Sequence, residues 1–231
     1  MALSDRRILA EKKAGNIVIE PFDRSHLATS SYDVSLGENY YREQTTNRGV
    51  YNIWDEVETE RVWGKLQNAW PALAVLPWDN KRWPWRNINR YDLVILLRPG
   101  ETILAHTQEF IGGRNHITTM MKARSSMGRN FIEVCKCAGW GDVGFFNRWT
   151  MEITNNSETH SIPLVVGRRI AQIIFFETGD ILKKDYSATG KYQSSDTIDD
   201  LKKNWAPEMM LPRLHRDREI HRRVKKTRKG S

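Results

Sequence analysis

Six short runs of apolar and β-branched residues constrain this chain most. They lie at 17–19, 93–97, 103–104, 150–154, 162–166 and 170–176, bounded by Gly, Pro or Asn. Runs of that length separated by turn residues read as strands, and their recurrence predicts a sandwich or barrel. Ser4 is placed to cap a short helix over residues 5–13, and Gly15 to stop it. The expected fold class is therefore mainly β with a short N-terminal helix. At 231 residues the chain suits one domain, or one domain with an appended segment. No apolar run approaches the roughly 18 residues that a membrane span needs. The N-terminus lacks the apolar stretch and small-residue cleavage site of a secretory signal, so the expected setting is cytoplasmic.

The net charge of +8 is concentrated at one end. Residues 213–231 carry +7, leaving about +1 for the first 212 residues. Such a tail can bind nucleic acid or an acidic protein surface by counterion release. It contains no aromatic residue for base stacking, which favours a solvated extension. Between residues 39 and 92 the strand pattern becomes irregular and holds six of the nine tryptophans: Trp54, Trp63, Trp70, Trp78, Trp83 and Trp85. That density points to an insertion whose rings form a local core or a subunit interface. Cys135 and Cys137 are the only cysteines; on one extended segment they make a poor disulfide, and they lack the further ligands that a zinc site needs. No zinc is expected.

The chemistry concentrates in thirty residues. Arg124-Ser125-Ser126-Met127-Gly128-Arg129 is followed by Ala138-Gly139-Trp140-Gly141-Asp142 and then by Thr150-Met151-Glu152. The Ser125 and Ser126 hydroxyls can donate to phosphate or orient a water, and a guanidinium such as that of Arg129 grips phosphate through paired hydrogen bonds. In T-M-E-I-T the apolar Met151 and Ile153 share one strand face and Glu152 takes the other. Alone, that alternation reads better as a half-exposed surface carboxylate.

The arrangement resembles the dCTP deaminase branch of the dUTPase superfamily. The similarity extends to Leu3-Ser4-Asp5, Ile19-Glu20-Pro21-Phe22, the segment Ser30 to Gly37, Pro99-Gly100-Glu101, Gly167 to Gln172, and Gly190-Lys191-Tyr192-Gln193. It implies a distorted jelly roll, a dUTPase-like β-barrel, over residues 1–195. The Trp-rich stretch at 39–92 would then be an insertion and 196–231 a C-terminal extension ending in the basic tail. It also implies a homotrimer with sites at subunit boundaries.

The same resemblance assigns roles. Glu152 would activate water against the ring carbon bearing the amino group and then protonate the departing ammonia. Ser125 would hold that water together with a backbone carbonyl near Ala138, and Arg129 would bind the triphosphate. Ser126 adds a hydroxyl, and Arg124 is either a further pocket cation or half of a structural ion pair. Backbone groups around Thr150 and Met151 would read the base edge. Tyr186, Lys191 and Gln193 would come from a C-terminal segment that closes over the nucleotide. Asp142 would contact the sugar and activate water against the α-phosphate, with Mg²⁺ held through the substrate's phosphates rather than by protein ligands; its other reading is a turn-capping aspartate.

The chain departs from the family at Cys135, where a histidine is usual, at Ser195 instead of a glutamine, and at Asn147 instead of a glycine tolerant of a left-handed backbone. These changes leave open a modified cytosine or a uracil nucleotide as ligand. The leading expectation is hydrolysis of dCTP to dUTP and ammonia. The alternatives are a bifunctional dCTP deaminase/dUTP diphosphatase, or a dUTPase, giving dUMP and pyrophosphate, and a non-catalytic nucleotide sensor whose tail or insertion binds a partner.

Overall fold

The computed structural model describes residues 1–79, 81–182, 185–193, 195–217 and 219–220. The expected helix is α1 (Asp5–Lys13): the Ser4 side chain accepts from the Arg7 amide, and Gly15 turns the chain at φ +83°. Beyond it the chain is mainly β, as expected. Strands β1 (Ile17–Glu20) and β2 (Tyr32–Arg42) precede α2 (Glu56–Trp63), β3 (Gln67–Asn68), β4 (Trp70–Pro71) and α3 (Ala72–Val75). Then come β5 (Leu93–Leu97), β6 (Thr102–Gly113), β7 (Ile117–Ala123), the single turn α4 (Ser125–Gly128), β8 (Ile132–Val134) and β9 (Trp140–Gly141). The chain continues with β10 (Phe146–Asn155), β11 (Ile162–Val165), β12 (Arg169–Glu177), α5 (Tyr186–Thr189) and α6 (Ile198–Asn204).

One curled antiparallel sheet runs β8-β10-β6-β2-β12-β7-β9, with β1 added to β6 and β3 to β2; β11, β5 and β4 form a smaller sheet. Inward-facing side chains from these strands make the main core, including Tyr32, Leu36, Ile103, Ile111, Met151, Ile153, Ile173 and Phe175. Each apolar side chain of that size contributes about 1.5–3 kcal/mol on burial. In the 39–92 region, Trp83 and Trp85 pack on Ala72, Leu76, Val94 and Val165 across the small sheet, while Trp54 and Trp70 are exposed. Trp63, at the end of α2, joins Tyr41, Leu104 and Met210 in a separate cluster.

The C-terminal extension lies back on the barrel. Leu201 packs with Phe110 and Phe146, and Trp205 lies against the buried His106 ring, their centroids 4.6 Å apart and their planes tilted by 53°. Of the basic tail at 213–231, Arg218 and residues 221–231 lie outside the described residues. Among the described residues no helix is long and apolar enough to cross a membrane.

Two local expectations are corrected. Cys135, Lys136 and Cys137 do not continue a strand: all three have positive φ (69°, 35° and 67°), so the chain coils sharply beside β10. Cys135 is buried against Met121 and Cys137 is exposed, both as free thiols. Asn147 needs no left-handed backbone, because it is an ordinary residue of β10 opposite Ile111, its side-chain amide donating to the Tyr192 carbonyl.

Candidate active site

Strand β10 supplies the floor of the site. Its alternation buries Trp149, Met151 and Ile153 in the core and turns Arg148, Thr150 and Glu152 toward a cleft of about 650 Å³. Leu104, directly opposite Glu152 on β6, lines the same cleft. The 138–142 turn forms one wall with Ala138, Trp140 and Asp142, and the coil ahead of it adds Lys136. This wall depends on Gly141: a Cβ there would lie 2.6 Å from the Trp149 ring, so the glycine lets the turn close over the indole.

Burial pushes the Glu152 carboxyl above its usual range; its own backbone amide and the Lys136 ammonium oppose the shift. A carboxyl poised in that way can accept a proton from water and return it to a leaving group. Asp142 presents its carboxylate at the open side of the cleft. Its backbone carbonyl accepts from Phe145 in a turn, but among the described residues its side chain makes no hydrogen bond, so the turn-capping role falls to the main chain.

The far wall comes from the C-terminal segments. Tyr186 packs edge-on against Phe145 with ring centroids 5.3 Å apart, and its hydroxyl accepts from the Tyr192 amide. Gly190 is required by this ring rather than by a ligand, since a Cβ at that position would collide with Tyr186. Lys191 lines the cleft and pairs with Asp217. Trp205, Met209, Met210 and Pro212 of the extension complete the roof, with Trp63 beside them.

Of the residues singled out in the sequence, Glu152, Ala138, Asp142, Thr150, Tyr186 and Lys191 thus share one cleft. Met151 offers that cleft no side chain, being fully buried in the core. Gln193 is also buried, and its amide bridges the Phe146 N–H and the Gly144 carbonyl, fastening the start of β10. Arg124 is engaged elsewhere: its guanidinium lies 3.1 Å from Asp33, which Arg169 also approaches at 3.2 Å. Ser125, Ser126 and Arg129 sit on α4 and its C-cap, exposed and outside the cleft of their own chain.

Lys136, Arg148, Trp63 and the roof of the extension were not singled out in advance. Arg148 carried a signal in its i, i+2, i+4 spacing with Thr150 and Glu152; the roof residues carried none. The Arg148 guanidinium is sandwiched between Phe110 and Trp205, 5.1 and 4.5 Å from the ring centroids, which ties the extension to the floor of the site.

Comparison with known proteins identifies the family. A sequence profile described as dCTP deaminase-like matches residues 2–178. The dCTP deaminase, dUMP-forming, of Methanococcus aeolicus is 31% identical over 184 residues, covering 77% of this chain and 84% of that protein. Its counterpart from Methanocaldococcus jannaschii is 31% identical over 206 residues, covering 86% and 94% respectively. The solved 2'-deoxycytidine 5'-triphosphate deaminase from Agrobacterium tumefaciens superposes with a TM-score of 0.48 at 15% identity, covering 75% of this chain and 47% of that one. With the profile spanning most of its length and relatives above 30% identity matched over more than three quarters of it, the chain belongs to the dCTP deaminase-like family.

Proposed function

We propose that this protein converts dCTP to dUMP, ammonia and pyrophosphate by two hydrolytic steps in one cleft. The observation that carries the reading is the presence of two carboxylates, Glu152 and Asp142, on the floor and wall of the same cavity, in different surroundings. In the first step Glu152 takes a proton from water as its oxygen bonds to the ring carbon bearing the amino group. The proton passes to the ring nitrogen; Glu152 then carries the new hydroxyl's proton to the amino group, and the carbon–nitrogen bond breaks as the carbonyl forms and ammonia leaves. In the second step Asp142 directs another water onto the α-phosphorus, and the bond to the bridging oxygen breaks to release pyrophosphate. The relatives are named dUMP-forming, which favours this sequence over one that stops at dUTP.

Mg²⁺ fits this cleft as an ion carried by the nucleotide's phosphates. Glu152 and Asp142 are the acidic side chains that line it, too few oxygen donors for an all-protein cage, and Mg²⁺ commonly binds through one or two carboxylates plus substrate phosphates. When bound it neutralises phosphate charge. Lys136, Lys191 and Arg148 supply fixed positive charge around the same cavity, and the extension's apolar roof excludes water.

The functional unit is a homotrimer in which α4 of one subunit completes the cleft of another. This is supported by the exposure of Ser125, Ser126 and Arg129, none of which lines the cleft of its own chain. There Arg129 would grip the triphosphate and Ser125 would hold the attacking water with the backbone near Ala138. Thr150 and the Met151 backbone would meet the base, and Lys191 and Tyr186 the phosphates.

The test is product analysis with dCTP and Mg²⁺. Ammonia, dUMP and pyrophosphate should appear in equal amounts, and Asp142→Asn should let dUTP accumulate. Free dUTP as the wild-type end product would restore the single-step reaction, and binding without product would identify a sensor.

A further inference from the structure

Beyond the matched residues 2–178, the described part of the extension reaches a charged corner beside the cleft. Lys191, a cleft residue, pairs with Asp217, and both are part-buried. Arg213 directly follows the cleft residue Pro212. Its backbone N–H donates to the Tyr192 hydroxyl at 3.0 Å, and its guanidinium donates to the Lys191 carbonyl at 2.6 Å and lies over the Tyr192 ring. One turn later His215 and Arg216 approach Glu56 of α2 at 3.2 and 4.0 Å. Three cations, Lys191, Arg213 and Arg216, therefore gather against the carboxylates of Asp217 and Glu56. Burial works against the Arg213 charge, and Arg216 adds repulsion. A part-desolvated guanidinium in that company is stabilised by an added anion, and its planar fork matches phosphate oxygens.

We propose that Arg213, supplied by the C-terminal extension, is a polyphosphate-binding residue acting with Lys191, and that Asp217 holds the Lys191 ammonium until the phosphates of the nucleotide displace it. The inference rests on the nucleoside triphosphate reading of the cleft. It makes the extension more than a roof: the turn Leu214–Arg216, flanked by Arg213 and Asp217, delivers one phosphate ligand and one competitor for another. A single carboxylate is a weak rival for a chain of phosphates but a sufficient one for a monophosphate that does not reach Lys191. The corner therefore selects for triphosphates.

The test uses the full chain carrying Glu152→Gln, which binds without turnover, titrated calorimetrically with dCTP and with dCMP in Mg²⁺. Asp217→Asn should tighten dCTP by about three- to tenfold and leave dCMP within about twofold, as expected when a competing charge is removed. Arg213→Gln should weaken dCTP by about tenfold or more with the same small effect on dCMP, and Arg213→Lys should recover part of the loss. Weaker dCTP binding by Asp217→Asn, or equal weakening of both nucleotides by Arg213→Gln, would overturn the assignment. Should Arg213→Gln fail to fold by circular dichroism, the dCTP-to-dCMP ratio in Asp217→Asn and Arg213→Lys decides in the same way. If the Glu152→Gln chain binds neither nucleotide, the triphosphate reading falls and this inference with it. If it binds both, with a ratio that neither substitution changes, only the role of the corner falls.

Discussion

At the scale of single residues, Glu152 shows how a strand register becomes chemistry. Its strand neighbours Met151 and Ile153 fix which way it points, and burial then disfavours its charged form. The folded protein therefore binds the Glu152 proton more tightly than the unfolded chain does, so this group costs stability above its raised pKa and nothing below the ordinary carboxyl range. Glu152→Gln removes that cost. The variant should melt above wild type at neutral pH, and the difference should shrink to zero on acidification; scanning calorimetry across pH reads it, and a variant that melts lower at neutral pH would contradict the burial argument. The alternation of T-M-E-I-T made this geometry legible in the sequence. Lys136 was hidden because three successive left-handed residues bring it to the cleft, and no residue type in Cys135-Lys136-Cys137 announces that conformation. Gln193, which the resemblance placed near the nucleotide, spends the two ends of its amide on Phe146 and Gly144.

Among elements, the contact of β2, β6 and the extension turns on His106. The ring is buried, donates from Nδ1 to the Thr107 carbonyl, faces the Asn39 amide at 3.4 Å and packs at a tilt against Trp205. It fits because Gly37 has no side chain: a Cβ there would lie 2.1 Å from the ring. Desolvation pushes the His106 pKa down to about 4 from 6.5. The folded state thus refuses a proton that the unfolded chain accepts, and stability is lost as pH falls from 6.5 toward 4, by up to about 3 kcal/mol. His106→Gln should flatten that part of the profile of denaturation midpoint against pH; an unchanged slope would place the acid sensitivity elsewhere. The sequence disclosed α1 and the apolar strands well. It disclosed β2 and β7 poorly, because Asp33, Ser35, Gly37 and Glu38 in one, and Thr118, Thr119 and Lys122 in the other, break the apolar pattern. Pairing on both sides holds them in place, β2 between β6 and β12 and β7 between β12 and β9.

For the whole molecule, the account divides the active site between chains: Glu152 in one cleft, Ser125 and Arg129 on the surface of the next subunit. Mixing two inactive variants tests that division. Glu152→Gln and Arg129→Ala chains, co-expressed to form mixed trimers, should recover a fraction of wild-type activity, since some clefts then receive Glu152 from one chain and Arg129 from the other; activity no greater than either variant alone would contradict a shared site. The family motifs made this much of the site readable, yet the roof was not, because Trp205, Met209, Met210 and Pro212 follow the matched region and reach the cleft only through packing on Phe110, Tyr41 and Leu104. On the proposed mechanism, Glu152 moves the protons of deamination. Ammonia release from dCTP under single-turnover conditions, with nucleotide binding measured on the same samples, tests it most directly. The account predicts that Glu152→Gln loses about 10³-fold or more in rate while dCTP binding stays within about threefold; ammonia released by the variant at close to the wild-type rate would contradict it.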